Sequence, residues 1–350
     1  MAESNSDSLL VTEVASLVEE SLEVRLSEPS LIEVKEGNGG TLKAFFAASA
    51  EQLQFTAFVK ARRSPGIHKA LWYTFDQKML AREYHVYHLL KRLRVPHARI
   101  IASRYQEPTR WTLVLEDLRS GYVLPKSDNQ LLSEDAIESL LDTYVRIHST
   151  CLHTGAINES AEGTWLQPEE GTQVDDRCGR EIWETLSAAS MTTRSVNPSQ
   201  FAKSVEVLCK CRDTLLGCER TVAFNDFHVT NVAFPRANGP AVLFDWELAG
   251  AALPAFDIIN LTYGREQIHD KIVSLYLSKM ADTGIRIDRD VWRRGIAYAR
   301  LSSAFYALWL LHMKLQADPD GRLPGWMRSE SSELLSGKLI SLTRKAGEIY

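Results

Sequence analysis

The hydrophobic pattern changes partway along the chain, and this change most constrains the fold. Up to Leu118, short apolar runs rich in β-branched and aromatic residues alternate with turn residues, which is typical of strands. After Leu118, apolar residues recur mainly at helical spacing. The sequence therefore predicts an α+β, bilobal protein with a small β-rich N-terminal lobe over residues 1–118 and a larger, mainly helical C-terminal lobe over residues 119–350. A cleft between two such lobes is a usual place for a ligand site.

The β-rich part contains five predicted strands and two predicted helices. The strands are Leu31–Glu36, Thr41–Ala48, Phe55–Ala61, Arg99–Arg104 and Trp111–Leu118. The helices are Leu9–Leu22 and about Phe75–Leu93, the second ended by Val95-Pro96 because the residue before a proline avoids the helical region. Later helices are predicted over Ser133–His153, Glu181–Ala189, Gln200–Leu216, Ala255–Arg265, His269–Ala281, Asp288–Leu315 and Ser331–Ile349.

Charge and hydropathy bear on the partners and the compartment. A net charge of -5 supplies no general basic field for nucleic acid or anionic lipid. No apolar run reaches the roughly 18 residues needed to span a bilayer, and Met1–Ser8 lacks the regions of a signal peptide. Five cysteines, an odd number, fit reduced thiols. The sequence predicts a cytoplasmic protein that binds neither nucleic acid nor membrane, and it leaves the oligomeric state open.

The strongest chemical signal lies in two loops that flank short strand-like runs. Asp226 and Asn231 are close enough to share one loop, and Asp245 ends the next apolar run, so a turn can return it beside them. Carboxylate and amide oxygens suit Mg²⁺, which also binds substrate phosphates. This arrangement predicts a phosphoryl-transfer site with Asp226 as the catalytic base and Asn231 and Asp245 as magnesium ligands. Glu247 is a further acidic neighbour.

A second signal is the lysine at the end of an apolar strand. Lys60 follows Phe55–Val59, where an ammonium needs an anion, and Glu83 on the following helix is its natural partner. A lysine fixed in this way can hold nucleotide phosphates. The alternative is a strand-end lysine that extends to water and a surface glutamate.

Two weaker signals concern the nucleotide. Gly39 and Gly40 would let a hairpin approach phosphates through backbone amides, although glycine clusters also mark ordinary turns. The backbone of Glu116 and Leu118, at the end of the last strand, is a candidate for hydrogen bonds to an adenine edge. The alternative there is a core strand that ends in two solvated acids.

These residues resemble the signature of the aminoglycoside phosphotransferase and choline kinase group, including its ecdysteroid-kinase-like branch. The similar segments are Asp226-Phe-His-Val-Thr-Asn231, then Asp245-Trp-Glu247, then a later Asp257. The resemblance implies a protein-kinase-like fold, Mg²⁺ and ATP as cofactors with GTP as an alternative, and the roles already assigned to Asp226, Asn231 and Asp245. It also implies that Lys60 and Glu83 match the group's strand lysine and helix glutamate, and that Val114–Leu118 matches the hinge that binds the adenine. Asp257 matches the group's later structural aspartate and either complements its helix dipole or braces the catalytic loop.

One departure from the group's pattern precedes the catalytic aspartate. Phe224 and Asn225 stand where the usual pattern has His and Gly, although choline kinases share the asparagine. We expect Phe224 to pack the loop from beneath and to replace a polar brace by an apolar one.

Together these observations predict a magnesium- and ATP- or GTP-dependent kinase that phosphorylates a hydroxyl of a small molecule. The acceptor would be an antibiotic such as an aminoglycoside, an amino alcohol, or a sugar or lipid-like alcohol. Three alternatives stay open: transfer of AMP, phosphorylation of a protein hydroxyl, and a nucleotide-binding regulatory module without catalysis, which Phe224 motivates.

Overall fold

The computed structural model describes most of the chain. The described residues are 3–36, 41–50, 53–62, 77–108, 110–127, 132–160, 166, 198–215, 217–262, 266–316 and 330–349. The chain divides into two units, Met1–Arg146 with His228–Leu248, and Ile147–Phe227 with Ala249–Tyr350. The units are interleaved in sequence, since a segment from the second half belongs to the first unit. The predicted division into lobes at residue 118 stays a prediction.

Helices and strands are numbered in chain order. The strands are β1 (Ser27–Glu36), β2 (Thr41–Ala50), β3 (Leu53–Arg62), β4 (Ile100–Glu107), β5 (Arg110–Glu116), β6 (Tyr122–Val123), β7 (Thr221–Ala223), β8 (Val232–Pro235), β9 (Val242–Leu243) and β10 (Gly250–Ala252). The helices are α1 (Glu3–Leu22), α2 (Gln77–Leu93), α3 (Glu134–Thr154), α4 (Ala156–Glu159), α5 (Pro198–Asp213), α6 (Ala255–Thr262), α7 (His269–Asp282), α8 (Arg289–Gln316) and α9 (Glu330–Gly347).

The five strands predicted for the β-rich part are present and form one antiparallel sheet in the order β1-β2-β3-β5-β4. Their ends differ from the prediction by up to a few residues, because pairing with the neighbouring strand sets where each strand begins and ends. Two helices predicted from Ser133 and Asp288 begin one residue later, since both residues are N-caps. The Ser133 hydroxyl accepts from the N–H of Ala136 at 3.2 Å, and Asp288 Oδ1 accepts from Asp290 N–H at 2.9 Å. The predicted helix Glu181–Ala189 lies outside the described residues.

One face of the five-stranded sheet is covered by α1. The core there includes Val14 and Val18 of the helix and Phe46 and Val59 of the sheet, all of them fully buried. Successive side chains along a strand point to opposite faces. Because Val59 faces α1, its neighbour Lys60 is directed to the other face of the sheet.

The rest of the first unit supports the loops of the candidate site. Strands β6, β8 and β9 form a small sheet in the order β6-β8-β9. The middle of α3 is tied to the residue before β9, because Thr143 Oγ1 donates to the carbonyl of Ala241 at 2.6 Å. A 3-10 turn, Trp246–Leu248, contacts α2.

The second unit is mainly helical. Helices α5, α8 and α9 contact one another, and the Thr343 hydroxyl donates to the Ser204 hydroxyl at 2.7 Å across the buried contact between α9 and α5. Helix α6 contacts α8, with Phe256 edge-on to Tyr298. Strands β7 and β10 pair antiparallel. Of the helices within the described ranges, none has the length and apolar character needed to cross a membrane.

Candidate active site

An ion cluster lies on the face of the first unit's sheet opposite α1. The ammonium of Lys60 on β3 contacts the carboxylate of Glu83 on α2 and also Oδ1 of Asp245. The side chains of Lys60 and Glu83 are only 2% and 3% exposed. The predicted partner of Lys60 is therefore at its side, and so is Asp245, 185 residues further along the chain. The alternative of a lysine extended to water is wrong.

Backbone hydrogen bonds hold the loop that carries Asp245. Strands β8 and β9 pair Val232 with Leu243, and the Phe244 N–H donates to the carbonyl of Asn231 at 3.1 Å. This pairing brings the backbone of Asn231 beside the residue that precedes Asp245. Asp245 then adopts a φ of 68°, a left-handed conformation in which Asp and Asn are more frequent than other non-glycine residues.

The 3-10 turn that follows joins this loop to α2. The Trp246 N–H donates to Oε1 of Glu83 at 3.2 Å, and the Trp246 side chain is almost fully buried. Glu83 thus receives a hydrogen bond from the Asp245 loop as well as the ion pair with Lys60. The glutamate sets the position of both groups.

Lys43 on β2 is a member of the cluster that the sequence analysis missed. Its Nζ lies 2.6 Å from Oδ2 of Asp245, and its side chain is 30% exposed. Lys43 and Lys60 are directly opposite each other in the β2–β3 ladder. The same signal that singled out Lys60, a lysine in an apolar strand, was present at Lys43. Its significance depends on the strand register, which the sequence did not specify.

The charges of the cluster determine one another. Burial by itself would lower the pKa of Lys60, but the carboxylates of Asp245 and Glu83 outweigh burial and raise this pKa above its ordinary value. Burial by itself would raise the pKa of Asp245, but the ammonium groups of Lys60 and Lys43 hold it well below its usual range. Burial raises the pKa of Glu247 to about 7, opposed by Lys60 and assisted by the Asp245 carboxylate.

The acidic side chains of the cluster offer a donor set for a hard cation. Glu83, Asp245 and Glu247 each place one carboxylate oxygen within 4.8 Å of those of the other two. Oxygen donors of this kind fit Mg²⁺. Asn231, whose backbone carbonyl accepts from Phe244 next to Asp245, carries an amide oxygen of the same chemical kind. Asp245 is common to this set and to the predicted pair of ligands.

In the second unit, a buried acid fixes the segment that precedes Asp226. The Phe224 N–H lies within 3.0 Å of both carboxylate oxygens of Asp257, and the Asn225 N–H donates to Oδ1 at 3.0 Å. Nε2 of His148 lies 3.1 Å from Oδ2 of Asp257, and its Nδ1 lies 2.9 Å from the hydroxyl of Tyr276. The buried Asp257 therefore braces this segment, which was one of its two expected roles.

The two unusual residues before Asp226 have distinct physical explanations. Asn225 has a φ of 62°, a conformation that glycine adopts freely and that asparagine tolerates better than most residues. Phe224 is fully buried, as expected of an apolar support. The expectation that the Phe224 side chain replaces a polar brace stays a prediction. The main-chain N–H groups of Phe224 and Asn225 meet a carboxylate whatever side chain stands at position 224. Asp257 with His148 supplies the polar brace.

The remaining predicted residues are placed as follows. Asp226 is half-buried in the loop between β7 and a 3-10 turn, Val229–Asn231, and its role as base stays a prediction. Glu116 ends β5, with its N–H donating to the carbonyl of Arg99 at 2.9 Å. The carbonyl of Leu118 accepts from Tyr122 N–H at 2.9 Å. Contacts of Glu116 and Leu118 with adenine stay predictions, and Gly39 and Gly40 lie outside the described residues.

Comparison with known proteins identifies the family. The model of the phosphotransferase enzyme family matches residues 75–286, which is more than half of the chain. The chain therefore belongs to this family, and the predicted family and the predicted class of enzyme, a kinase, are confirmed. No curated protein sequence matches the chain significantly.

Solved structures with low sequence identity share the fold. A Ralstonia eutropha protein assigned to the aminoglycoside phosphotransferases is 15% identical, with a TM-score of 0.57 over 95% of this chain and 97% of that one. The choline kinase LicA from Streptococcus pneumoniae is 15% identical, with a TM-score of 0.56 over 96% and 99%. APH(2")-IIia, in a complex with GDP and kanamycin, is 12% identical, with a TM-score of 0.51 over 93% and 98%. The predicted α+β, protein-kinase-like fold is confirmed.

Proposed function

We propose that this protein transfers the γ-phosphoryl group of Mg-ATP or Mg-GTP to a hydroxyl group of a small molecule. The observation that carries the proposal is the buried contact of Lys60 with both Glu83 and Asp245. A buried lysine that is held charged between two acids has a fixed position from which to bind phosphates. A lysine with only a structural role would not need a second carboxylate from a distant loop.

The nucleotide would be held by groups from three parts of the chain. Lys60 binds the phosphates, the backbone amides near Gly39 and Gly40 cover them, and the backbone of Glu116 and Leu118 contacts the base. Support for a nucleotide comes from a second structure of LicA, which is in complex with AMP. In that comparison the identity to this chain is 16% and the TM-score is 0.52. The GDP complex of APH(2")-IIia supports GTP equally, so both nucleotides belong in the proposal.

Magnesium would be held by Asp245 and Asn231, whose oxygen donors suit this ion. Bound there, the ion would neutralise charge on the nucleotide phosphates. Phosphoryl transfer depends mainly on positioning and on charge neutralisation. The contact between Lys60 and Asp245 supports a role for both residues in this charge neutralisation.

Asp226 would act on the acceptor. Its carboxylate accepts the hydroxyl proton while a bond forms between the acceptor oxygen and the γ-phosphorus, and the bond from that phosphorus to the β–γ bridging oxygen breaks. The nucleoside diphosphate leaves with that bridging oxygen. Asp257 assists by fixing the main chain of Phe224 and Asn225, the two residues that lead to Asp226.

The choice of acceptors to test is supported by what the similar structures bind or act on. LicA is a choline kinase, and APH(2")-IIia is in a complex with kanamycin. Amino alcohols and aminoglycosides or other antibiotics are therefore the first acceptors to test, and sugars and lipid-like alcohols are the next.

The decisive experiment measures nucleotide consumption with ATP and with GTP across this panel, followed by mass spectrometry of the product. We expect one acceptor class to gain a phosphoryl group and Asp226→Asn to lose activity by about 100-fold or more while nucleotide binding is kept. Asp282→Asn, at an exposed position of α7, is the matched control and should behave as wild type.

Three results would contradict the proposal. A product that gains AMP would mean nucleotidyl transfer. Stabilisation by Mg-nucleotide without consumption across the panel would mean a regulatory module. Equal activity of Asp226→Asn and wild type would remove Asp226 as the base.

A further inference from the structure

Lys43, a partly exposed partner of the proposed metal ligand Asp245, has no role in the mechanism so far. Lys43 and Lys60 contact different oxygens of Asp245, Lys43 at Oδ2 and Lys60 at Oδ1. Both oxygens of this carboxylate are therefore engaged by ammonium groups. Each oxygen keeps a second lone pair, but a cation that binds there lies beside an ammonium group and is repelled by it. Binding of a cation to Asp245 is therefore favoured when one of the two lysines gives up its contact.

The two lysines differ in what release would involve. Lys60 is 2% exposed and also contacts Glu83, so it is confined within the cluster. Lys43 is 30% exposed, and its ammonium lies at the end of a flexible four-carbon chain that can move into water. The Lys43–Asp245 ion pair is only partly buried, so breaking it costs less than breaking the buried pair of Lys60 and Glu83. Lys43 is the partner that can leave Asp245.

The position of Lys43 also suggests where its ammonium goes. Strand register sets it directly across from Lys60, on the sheet face that would bind the phosphates. Two like charges at facing positions of a ladder repel unless an anion lies between them. Asp245 is that anion here, and phosphate oxygens of a bound nucleotide can replace it.

We propose that Lys43 is an exchangeable counter-ion: it neutralises Asp245 in the nucleotide-free protein and transfers to the nucleotide phosphates when Asp245 binds the metal. This inference rests on the proposed function, because it assigns the order of contacts at the same site. It implies that Lys43 weakens binding of the metal alone and strengthens binding of the metal–nucleotide complex. A purely structural lysine would not have these opposite effects.

The test begins with Mn²⁺ alone as a paramagnetic probe, titrated into the nucleotide-free, full-length protein and followed by electron paramagnetic resonance. We expect Lys43→Met to bind Mn²⁺ about fivefold more tightly than wild type, since an exposed competing ion pair is removed. Lys43→Arg keeps the charge and should match wild type. Lys35→Met is the control, because exposed Lys35 on β1 is the cross-strand neighbour of Lys43 and loses the same charge.

A second titration uses a non-hydrolysable ATP analogue with saturating Mg²⁺. We expect Lys43→Met to bind it about tenfold more weakly, as is usual when a charge-assisted hydrogen bond is lost. Lys43→Arg and Lys35→Met should stay within about twofold of wild type. Circular dichroism of each variant checks that the fold is intact. We expect Lys43→Met to fold, because the Lys43 side chain is partly exposed.

The outcomes separate this inference from the proposed function. If Lys43→Met binds Mn²⁺ no more tightly than wild type, or shows no measurable binding, the exchange at Asp245 is refuted even if the wild type consumes nucleotide. If its analogue affinity is unchanged, the transfer to phosphates is refuted. If metal binding tightens as expected but the panel finds no phosphoryl transfer, the exchange stands and the proposed function fails.

Discussion

The brace beneath the catalytic loop can be tested by replacing one buried atom. In Asp257→Asn, one acceptor oxygen becomes an NH₂ group of similar size. Asp257 meets the N–H groups of Phe224 and Asn225, and Oδ2 also meets His148. Both oxygens accept from the main chain, so the new NH₂ group faces a donor whichever way the amide turns.

The magnitude follows from these contacts. When the amide oxygen takes the place of Oδ1, both main-chain N–H groups keep an acceptor, and the new NH₂ group replaces Oδ2. Losing one hydrogen bond to a charged, buried group costs about 1.5–3 kcal/mol. This loss is a sizeable part of the roughly 5–15 kcal/mol stability of a typical protein. The variant should remain folded at low temperature but unfold about 2–4 °C below wild type.

The assay combines thermal unfolding with steady-state kinetics on the acceptor found in the screen. We expect kcat to fall about 100-fold, because a small displacement of a catalytic group can lower the rate by this factor. Nucleotide affinity should be nearly unchanged. The matched control is Asp290→Asn, because Asp290 also lies in the first turn of a helix but is 74% exposed. Loss of a helix-dipole interaction alone costs about 0.3–1 kcal/mol. If Asp257→Asn loses no more stability than Asp290→Asn and keeps its kcat, the brace is refuted and Asp257 serves only the dipole.

Two further predictions concern Asn225 and Asp245. Asn225→Gly should stay within about 1 kcal/mol of wild type, because relief of the left-handed backbone offsets the added freedom of the unfolded chain, whereas Asn225→Val should lose about 1–3 kcal/mol in chemical denaturation. Equal stability of the two variants would contradict the role of φ at this residue. Asp245→Asn should weaken Mg-nucleotide binding in a calorimetric titration by about tenfold or more, since it removes a charged ligand that Lys60 and Lys43 also use, and unchanged affinity would exclude Asp245 as a ligand.

Much of the fold was predictable because its signals are local. Strand-like runs and helical periodicity located the five strands of the sheet and every predicted helix that falls within the described residues. Ser133 and Asp288 marked helix starts because a capping side chain acts on backbone groups two or three residues away. Errors at the ends of strands arose where pairing with a neighbour, and not the run's own composition, set the last residue.

The candidate site was predictable in its members more than in its contacts. Lys60 and Glu83 were paired correctly because a lysine in an apolar strand requires a nearby acid. The apolar support from Phe224 was predictable from its side chain, whereas the polar contact of its main-chain N–H was not. His148, which contacts Asp257, showed no sequence signal beyond its place on a helix.

The sequence by itself determined the class of fold, the family pattern and the chemical groups at Asp226, Asn231 and Asp245, since periodicity, turn residues and spacing are properties of short segments. Only the tertiary structure decided that Lys43 shares Asp245 with Lys60, across 202 residues, and that Asp257 accepts from the main chain before Asp226. These contacts depend on strand register and on burial, which arise when distant segments pack together. A charged residue in an apolar strand indicates that it needs a partner, and packing selects which partner it meets.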